Sequence, residues 1–496
     1  MGVVKHQSLK SSILIYVGFA IGGINTLLLF PNFFTSAEFG LTRIMMDLGI
    51  ILVPFCTFST GTMVNRFYPY YASHLPKKDN DLAGWVLLAS ILGFLLFVAG
   101  TFIFKGLIIR KFGTNSPLFI DYFYLLYPFV LGMVLYSVFE SYSWSRHETV
   151  MPNSLKEIGT RLFTMLLIGL YIAKLLTFTG FMWWFSLSYV LALFALLIYL
   201  RKKNLLDITF KLSKVTRRLF KRMVVYSLSI MGATICVLVA QNIDALIISS
   251  FKGLDQAAHL AIATYMATLI QVPQRSIAGI ATPVMAQSWK DKNIAKIEEI
   301  YQKSALLQLV AALFIFLCIW LNIDNIYRIM PMEFAAAKYV VLMLGISKVI
   351  DMGTGVNQQL IGTSRYWRFE LTSSIILAAL SIPLNYFLIK KHGIIGSGYS
   401  SLISMFVFNT IRYFFIWKRF GLQPFSFNTL KALAIALLAY GLCLLIPSTG
   451  NVYADILIDS SVFAVLFGSG ILVTKVSMDI NSTFIILLNR LVKRKT

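Results

Sequence analysis

Three polar side chains recur at helical spacing within one otherwise apolar segment. Gln271, Gln274 and Arg275 occupy positions i, i+3 and i+4, so a helix would place them on one face. A charge near the bilayer centre costs about 2.5–3.5 kcal/mol on insertion scales, and it therefore tends to face a cavity or a partner. A planar guanidinium suits oxyanions such as carboxylate and phosphate groups. The stripe predicts an anion site centred on Arg275; the alternative is a structural ion pair between Arg275 and a carboxylate of a neighbouring helix.

A pair of opposite charges, Lys348 and Asp351, lies in the middle of a later apolar segment at i and i+3. On a helix the two side chains are close enough to pair with each other, which is the structural interpretation. In the functional interpretation, Lys348 is a second contact for the anion and Asp351 binds a proton or a cation.

Two more carboxylates lie inside apolar segments. Asp244, with Gln241 three residues earlier, gives its segment a polar face, and Asp47 occupies a comparable position in an earlier segment. An intramembrane carboxylate with polar neighbours predicts ion coupling in a carrier, driven by a proton or sodium gradient. The alternative is a hydrogen-bonded structural aspartate at a helix–helix contact.

The remaining buried cations and the metal-binding residue types carry weaker signals. Arg66 lies near one end of an apolar segment, where it could line the mouth of a cavity, whereas Arg161 and Arg412 are predicted to extend toward the lipid headgroups. The five histidines share no helical face, and the four cysteines form no CxxC pair. We therefore predict no metal site, no catalytic residue and no bound cofactor.

The elements that position these residues are membrane helices. The chain has 496 residues, of which 58% are hydrophobic and 13% charged, and its mean hydropathy is +0.76. So little polar surface cannot cover a soluble globule, and segments of about 20 apolar residues are long enough to span a bilayer. About fourteen such segments are present. They cover residues 11–31, 41–71, 82–104, 118–140, 156–176, 179–200, 223–250, 260–287, 301–323, 336–360, 370–389, 394–417, 429–447 and 459–479. We predict an all-α, multi-pass membrane protein.

A basic segment, residues 201–222, separates two sets of six predicted spans. It holds nine Lys and Arg residues, and Asp207 is its only acid. Lys and Arg beside membrane spans are retained on the cytoplasmic side, so the segment is predicted to be a cytoplasmic hinge. A basic helix lying on anionic lipid is a compatible interpretation. The predicted domains are an N-lobe (1–200), the hinge (201–222), a C-lobe (223–420) and a final part (421–496) with two more helices and a basic tail. Both termini are predicted to be cytoplasmic.

Charge and loop length exclude several functions. The formal net charge is +23, but the charges form short clusters between apolar segments, so the predicted partner is the lipid bilayer and not a nucleic acid. No connection besides the hinge is long enough for a soluble domain, and no GxxxxGK[ST] sequence is present. We therefore predict a transporter that is not an enzyme.

Short motifs then suggest a family. Their residues are Ala37-Glu38-Phe39-Gly40 and Asn65-Arg66-Phe67-Tyr68-Pro69 around the second segment, Gln241-Asn242-Ile243-Asp244 in the seventh, and Tyr265, Pro273 and Thr282-Pro283 in the eighth. With these motifs and the central basic connector, the chain resembles the polysaccharide transporter branch of the multidrug/oligosaccharidyl-lipid/polysaccharide (MOP) exporter superfamily. This branch contains the Wzx-like flippases of O-antigen and capsule synthesis.

The resemblance implies both a fold and an activity. The fold would be a MATE/MurJ-like V of two six-helix lobes around a central cavity, with two additional C-terminal helices. The activity would be export of an undecaprenyl-diphosphate-linked oligosaccharide across the bacterial inner membrane by alternating access. A polysaccharide polymerase and the export machinery are candidate partners.

Two other functions remain open at this stage. A MATE-type drug/cation antiporter of the same fold should have a net acidic cavity, whereas Arg275 and Lys348 predict cations there. A membrane-embedded polysaccharide polymerase or ligase should carry a large periplasmic loop with catalytic polar residues, and the chain offers no such loop.

Overall fold

The computed structural model describes residues 14, 16–146, 148–478 and 480–482, and these residues form helices without strands. The helices are α1 (Tyr16–Phe33), α2 (Ser36–Cys56), α3 (Thr60–His74), α4 (Leu82–Ile103), α5 (Lys105–Phe112), α6 (Pro117–Asp121), α7 (Leu126–Ser145), α8 (Val150–Ser154), α9 (Thr160–Ile172), α10 (Phe178–Ser186), α11 (Ser188–Lys202), α12 (Lys214–Lys252), α13 (Leu254–Lys290), α14 (Ile294–Leu321), α15 (Ile323–Ile329), α16 (Lys338–Gly353), α17 (Asn357–Thr363), α18 (Arg368–His392), α19 (Ile394–Phe420), α20 (Phe427–Cys443) and α21 (Val452–Val473). The predicted cytoplasmic placement of the termini and of the basic tail concerns residues outside the described ones.

The helices agree with the predicted membrane spans. Within the described residues, ten helices are long and apolar enough to cross a membrane, and the bent pair Met332–Gly353 and Asn357–Thr363 makes an eleventh if it is one span. The other predicted segments coincide with α9, α13 and α20. The predicted all-α membrane fold is confirmed.

The second predicted segment is broken into two helices. α2 ends at Cys56, shortly after Pro54, and α3 begins at Thr60. Between them, Phe58 and Ser59 have φ values of 49° and 53°. Such left-handed backbone costs about 1–3 kcal/mol per non-glycine residue, so neighbouring groups must hold it in place. One does so directly, because the Ser227 hydroxyl of α12 donates a hydrogen bond to the Phe58 carbonyl at 2.5 Å.

The start of α2 explains the first sequence motif. The Thr35 hydroxyl accepts a hydrogen bond from the Glu38 N–H at 3.3 Å, and the Glu38 carboxylate accepts one from the Thr35 N–H at 2.9 Å. This reciprocal pair is a capping box. Two residues later, Gly40 lies against the carbonyl of Leu254, where a Cβ would overlap the backbone. Ala-Glu-Phe-Gly therefore combines a helix start with a close helix contact.

The chain divides into two compact units whose boundary falls between Ala261 and Ile262, within α13. In the first unit, α7 is the central helix and packs against α2, α3, α4 and α11. Its Phe129, Val130 and Val134 are fully buried. The predicted division into lobes, hinge and terminal part stays a prediction.

In the second unit, α19 packs against α16 and α18, while α14 packs against α16, α20 and α21. Phe463 and Phe467 of α21 stack on Phe314 of α14, with ring centroids 6.0 and 6.2 Å apart. Both α21 rings are buried. The C-terminal helix pair is therefore part of the core of this unit.

The basic segment 201–222 is fastened to the first unit. Arg146, at the end of α7, donates two hydrogen bonds of 3.2 Å to the Asp207 carboxylate. The Tyr142 hydroxyl donates to the Asp207 carbonyl at 3.1 Å. The Asp81 carboxylate accepts a hydrogen bond from the Ser213 N–H at 2.9 Å. These contacts fix the connection between α11 and α12 on the ends of α4 and α7.

Another ion pair of this segment, between Lys203 and Glu148, balances charge there. Glu148, in the connection after α7, accepts hydrogen bonds from Lys203 at 2.6 Å and from the Tyr199 hydroxyl at 2.7 Å. Burial raises the pKa of Glu148, but these two hydrogen bonds outweigh burial and bring the pKa below its ordinary value. The hydrogen bond to Glu148 raises the pKa of Lys203. Both groups are therefore held in their charged forms.

Candidate functional site

Asp351 is the centre of a hydrogen-bonded network in the second unit. Its Oδ2 atom accepts hydrogen bonds from the amide of Gln271 at 3.0 Å and from that of Gln274 at 3.4 Å. Its Oδ1 atom accepts one from the amide of Asn409 at 3.2 Å. Gln271 and Gln274 therefore share one face of α13, as their spacing predicts, and that face is directed to α16.

The network continues through the break between α16 and α17. The carbonyl oxygen of the Asn409 side chain accepts hydrogen bonds from Thr354 at 2.9 Å and from Asn357 at 3.0 Å. The two helical parts of this segment meet at 46°. In the break, Gly355 has φ +66° and lies against the backbone of Ala305 in α14, so only glycine fits there without strain. The Thr354 hydroxyl also donates to the Asp351 carbonyl, and the Ser304 hydroxyl accepts from the Val356 N–H, so polar side chains satisfy the backbone and each other where the helix is interrupted.

Arg412 completes this network, and its predicted extension to the headgroups is wrong. The residue is 3% exposed. Its guanidinium donates to the Glu370 carboxylate at 2.6 Å, to the Ser373 hydroxyl at 3.1 Å and to the Asn357 side chain at 3.3 Å. The pair with Glu370 spans 42 residues of sequence. A buried charge of this kind is retained only with a partner, and α18 supplies it.

The predicted anion-binding residues Arg275 and Lys348 flank the network. Arg275 is exposed on α13, next to Gln274, and Lys348 is half-buried on α16, one turn before Asp351. The second unit therefore brings together two predicted cations, two predicted amides and one predicted carboxylate on α13 and α16.

The first unit brings together the two other predicted ion-coupling residues. Asp47 of α2 is 2% exposed and pairs with Arg43 one turn earlier at 3.2 Å. Asp244 of α12 accepts a hydrogen bond from the Ala245 N–H at 2.9 Å. It lies within electrostatic range of both Asp47 and Arg43. Two carboxylates and one guanidinium thus form a charged group between α2 and α12.

Arg66 lies elsewhere in the first unit and is exposed on α3. Its guanidinium lies over the ring of Tyr226 on α12, with 4.4 Å to the centroid, and 5.7 Å from the ring of Phe67. A cation–π contact of this kind positions the charge while its other face stays accessible.

Sequence reasoning missed the residues that connect these groups. Arg43 was not singled out, although it lies one helical turn before Asp47 on α2 and pairs with it. Asn357, Asn409 and Glu370 carry a signal in hindsight, because each is a strongly polar residue in or beside an apolar segment. Among the described residues, no cluster of three His, Cys, Asp or Glu side chains could hold a metal ion.

Comparison with protein families assigns the chain. A family model described as "Polysaccharide biosynthesis protein" matches residues 8–289, more than half of the sequence. The chain belongs to this family. A second family model, MatE, matches residues 229–387. A search of curated proteins found no match.

Solved structures show the same fold. The chain is similar to the lipid II flippase MurJ in an inward closed conformation, with a TM-score of 0.76 and 15% identity over 93% of this chain and 97% of that one. It is similar to an inward-facing multidrug resistance MATE transporter of the MOP superfamily, with a TM-score of 0.64 and 16% identity over 83% and 94%. A MOP superfamily transporter from Pyrococcus furiosus gives a TM-score of 0.55 at 16% identity over 84% and 96%. The protein therefore has the fold of MOP superfamily transporters and is a multi-span membrane protein.

Proposed function

We propose that the protein is a flippase for an undecaprenyl-diphosphate-linked oligosaccharide. It moves the headgroup from the cytoplasmic to the periplasmic leaflet of the bacterial inner membrane, with both termini in the cytoplasm. Transport proceeds by alternating access between the two predicted lobes. The product supplies synthesis of a surface polysaccharide, such as O-antigen, capsule or exopolysaccharide, beside a polymerase and export machinery.

One observation carries the substrate class: Arg275 is an exposed guanidinium within a long apolar helix, beside amides that are engaged by Asp351. A guanidinium presents paired N–H donors that match the oxygens of a diphosphate. In this proposal Arg275 and Lys348 bind the diphosphate, Gln271 and Gln274 contribute amide contacts, and Arg66 guides the anion at the cavity mouth. The polyprenyl tail stays in lipid.

The charged group of the first unit supports ion coupling. Asp47 and Asp244 are acids of like charge near one arginine, so binding of a proton or a sodium ion to Asp244 relieves their repulsion. Asp351 is a second candidate for the same role in the other unit. Replacement of Asp244 by asparagine should make transport independent of the ion gradient, whereas unchanged dependence would remove this residue from the coupling mechanism.

A MATE-type cation antiporter is the second candidate, and the MatE match to residues 229–387 favours it. Asp47, Asp244 and Asp351 would then bind the cationic drug or the coupling ion. The two functions make opposite demands on Arg275, because a nearby guanidinium attracts a diphosphate and repels an organic cation.

The direct test is transport by the purified protein in proteoliposomes. Lipid-linked oligosaccharide is placed in both leaflets, and the fraction that a membrane-impermeant glycosidase can reach is followed over time. Uptake of a fluorescent organic cation is measured in the same vesicles. Flipping without cation transport supports the proposal, and cation transport without flipping would replace it by the antiporter.

A matched pair of variants tests the binding site. Arg275→Ala should lower substrate affinity by about 10- to 100-fold, because a hydrogen bond to a charged group is worth about 1.5–3 kcal/mol. Arg368→Ala removes an exposed arginine of the same unit, which lies over Trp367, and should leave flipping unchanged. Full flipping by Arg275→Ala at normal protein levels would refute the role of Arg275.

A further inference from the structure

The lining of an apolar pocket in the first unit includes none of the residues discussed as substrate or ion sites. It has a volume of about 450 Å³ and lies among α3, α4 and the first half of α12. This volume is within the range of about 300–1,000 Å³ that is typical of pockets for small molecules. Met63, Val86 and Met223 are buried in its wall, whereas Leu92 and Phe220 are more than half exposed at its open side.

Two hydrogen bonds that join α12 to its neighbours mark the ends of this pocket. At one end the hydroxyls of Tyr71 and Thr216 are 2.7 Å apart, and at the other Ser227 donates to the carbonyl of Phe58. Thr216 and Ser227 are eleven positions apart, which is about 16 Å along a helix. The pocket therefore extends over roughly half of the ~30 Å hydrocarbon core, which is the depth of one leaflet.

Basic side chains flank one end of the pocket. Lys214, Arg217 and Lys221 follow each other at i, i+3 and i+7 on α12, in the row next to the pocket residues Phe220 and Val224. All three are exposed. In the described part of the chain their side chains have no ion-pair partner, and Asp207, the one acid of the segment, is paired with Arg146.

We propose that this pocket binds an anionic phospholipid. One acyl chain fills the apolar space among α3, α4 and α12, and the phosphate of the headgroup is bound by Lys214, Arg217 and Lys221. The argument rests on charge complementarity: an apolar pocket alone would accept any lipid tail, whereas an adjacent row of unpaired cations selects a negative headgroup. Because Phe58 both lines the pocket and forms part of the α2–α3 break, the bound chain also contacts this strained turn.

Quenching of tryptophan fluorescence tests the proposal on the full chain. Trp85 lines the pocket, so phosphatidylglycerol with brominated acyl chains should quench it when this lipid is a minor component of phosphatidylcholine vesicles. Brominated phosphatidylcholine at the same fraction should quench less, and Trp85→Phe should remove the difference between the two lipids. Equal quenching by both lipids would overturn the proposal.

Two variants separate the pocket from the headgroup site. Replacing both Arg217 and Lys221 with glutamine should weaken the phosphatidylglycerol preference by about fivefold per cation removed, since each cation near an anionic surface contributes about 1 kcal/mol. The matched control replaces the exposed Arg201 and Lys202 of α11, which do not line the pocket, and should keep the preference. Ala89→Phe fills the pocket and should reduce quenching of Trp85 by phosphatidylglycerol to the level seen with phosphatidylcholine, while the protein remains monodisperse.

A competing occupant has a distinct signature. If polyprenyl phosphate displaces brominated phosphatidylglycerol at equal concentration, the pocket belongs to the tail of the transported lipid and the proposal is wrong. If it does not, the pocket is a site for a membrane phospholipid. The outcome is independent of the flipping assay, because no residue of this pocket is assigned to transport.

Discussion

Replacing Arg412 with methionine should destabilise the protein strongly. The sequence predicted that this side chain reaches the lipid headgroups, where its loss would matter little. Its side chain is 4% exposed, and that of its partner Glu370 is 24% exposed. Removing one member of a buried ion pair leaves the other charge uncompensated, which costs about 3–5 kcal/mol. Methionine preserves most of the apolar volume of the side chain. The loss of stability therefore measures the contribution of the charge and of its hydrogen bonds to Ser373 and Asn357.

The measurement is the free energy of unfolding in detergent, followed by loss of helical circular dichroism during titration with sodium dodecyl sulfate. Lys418→Met on the same helix is the matched control. Lys418 is exposed, so its replacement should change stability by no more than about 0.5 kcal/mol. Equal effects of the two substitutions would refute the assignment of Arg412 to a buried ion pair.

A double-mutant cycle isolates the interaction between Arg412 and Glu370. The variant that replaces both residues with methionine should be less destabilised than the sum of the two single variants, because it leaves no unpaired charge. Residues in contact show interaction energies of about 0.5–3 kcal/mol, and we expect the upper part of this range. If the destabilisation of the double variant equals the sum of the destabilisations of the two single variants, the two side chains act independently.

The structure makes three other predictions. Gly355→Ala should destabilise the protein by more than about 1 kcal/mol, because alanine is strained at φ +66° and would press on the backbone of α14. Gly362 has open space around it, so Gly362→Ala should be neutral or stabilising in the same titration. Asp351→Asn should lower the free energy of unfolding by about 1–3 kcal/mol, since the new NH2 group faces hydrogen-bond donors and leaves at least one of them unsatisfied. An unchanged midpoint of the unfolding titration would show that the network does not contribute to stability. The pKa of Glu148 is lowered in the folded state, so its contribution to the free energy of unfolding is present above the unfolded pKa of about 4.3 and is lost as the pH falls further. The stability difference between wild type and Glu148→Gln should therefore shrink between pH 5 and pH 3. A constant difference would contradict the ion pair with Lys203.

The sequence was sufficient for the membrane helices because each is a long run of apolar residues, and a bilayer imposes helical structure on such a run. It also predicted the shared face of Gln271 and Gln274, since side chains at i and i+3 meet on any helix. The break after α2 had a local signal in Pro54. These features depend on neighbours in sequence, where a periodic pattern is informative.

The partners of the buried charges could not be predicted in the same way. Gln271 and Asp351 are 80 residues apart, and Arg412 and Glu370 are 42 residues apart on different helices. Their pairing depends on which faces of the helices are packed together, and hydropathy averaged along one segment contains no such information. The useful signal would have been that α18 carries an acid, Glu370, and α19 a base, Arg412, and that neither has an ion-pair partner on its own helix.

Because Phe463 of α21 stacks on Phe314 of α14, the last helix completes the packing of α14. A twelve-helix version of this protein, cut after residue 420, would turn an interior aromatic surface of α14 toward lipid and delete the residues that complement it. The final helices are consequently not a detachable appendage: an engineered minimal transporter would have to redesign the outer face of α14, and any reporter fused to the chain is better attached beyond α21 than in its place.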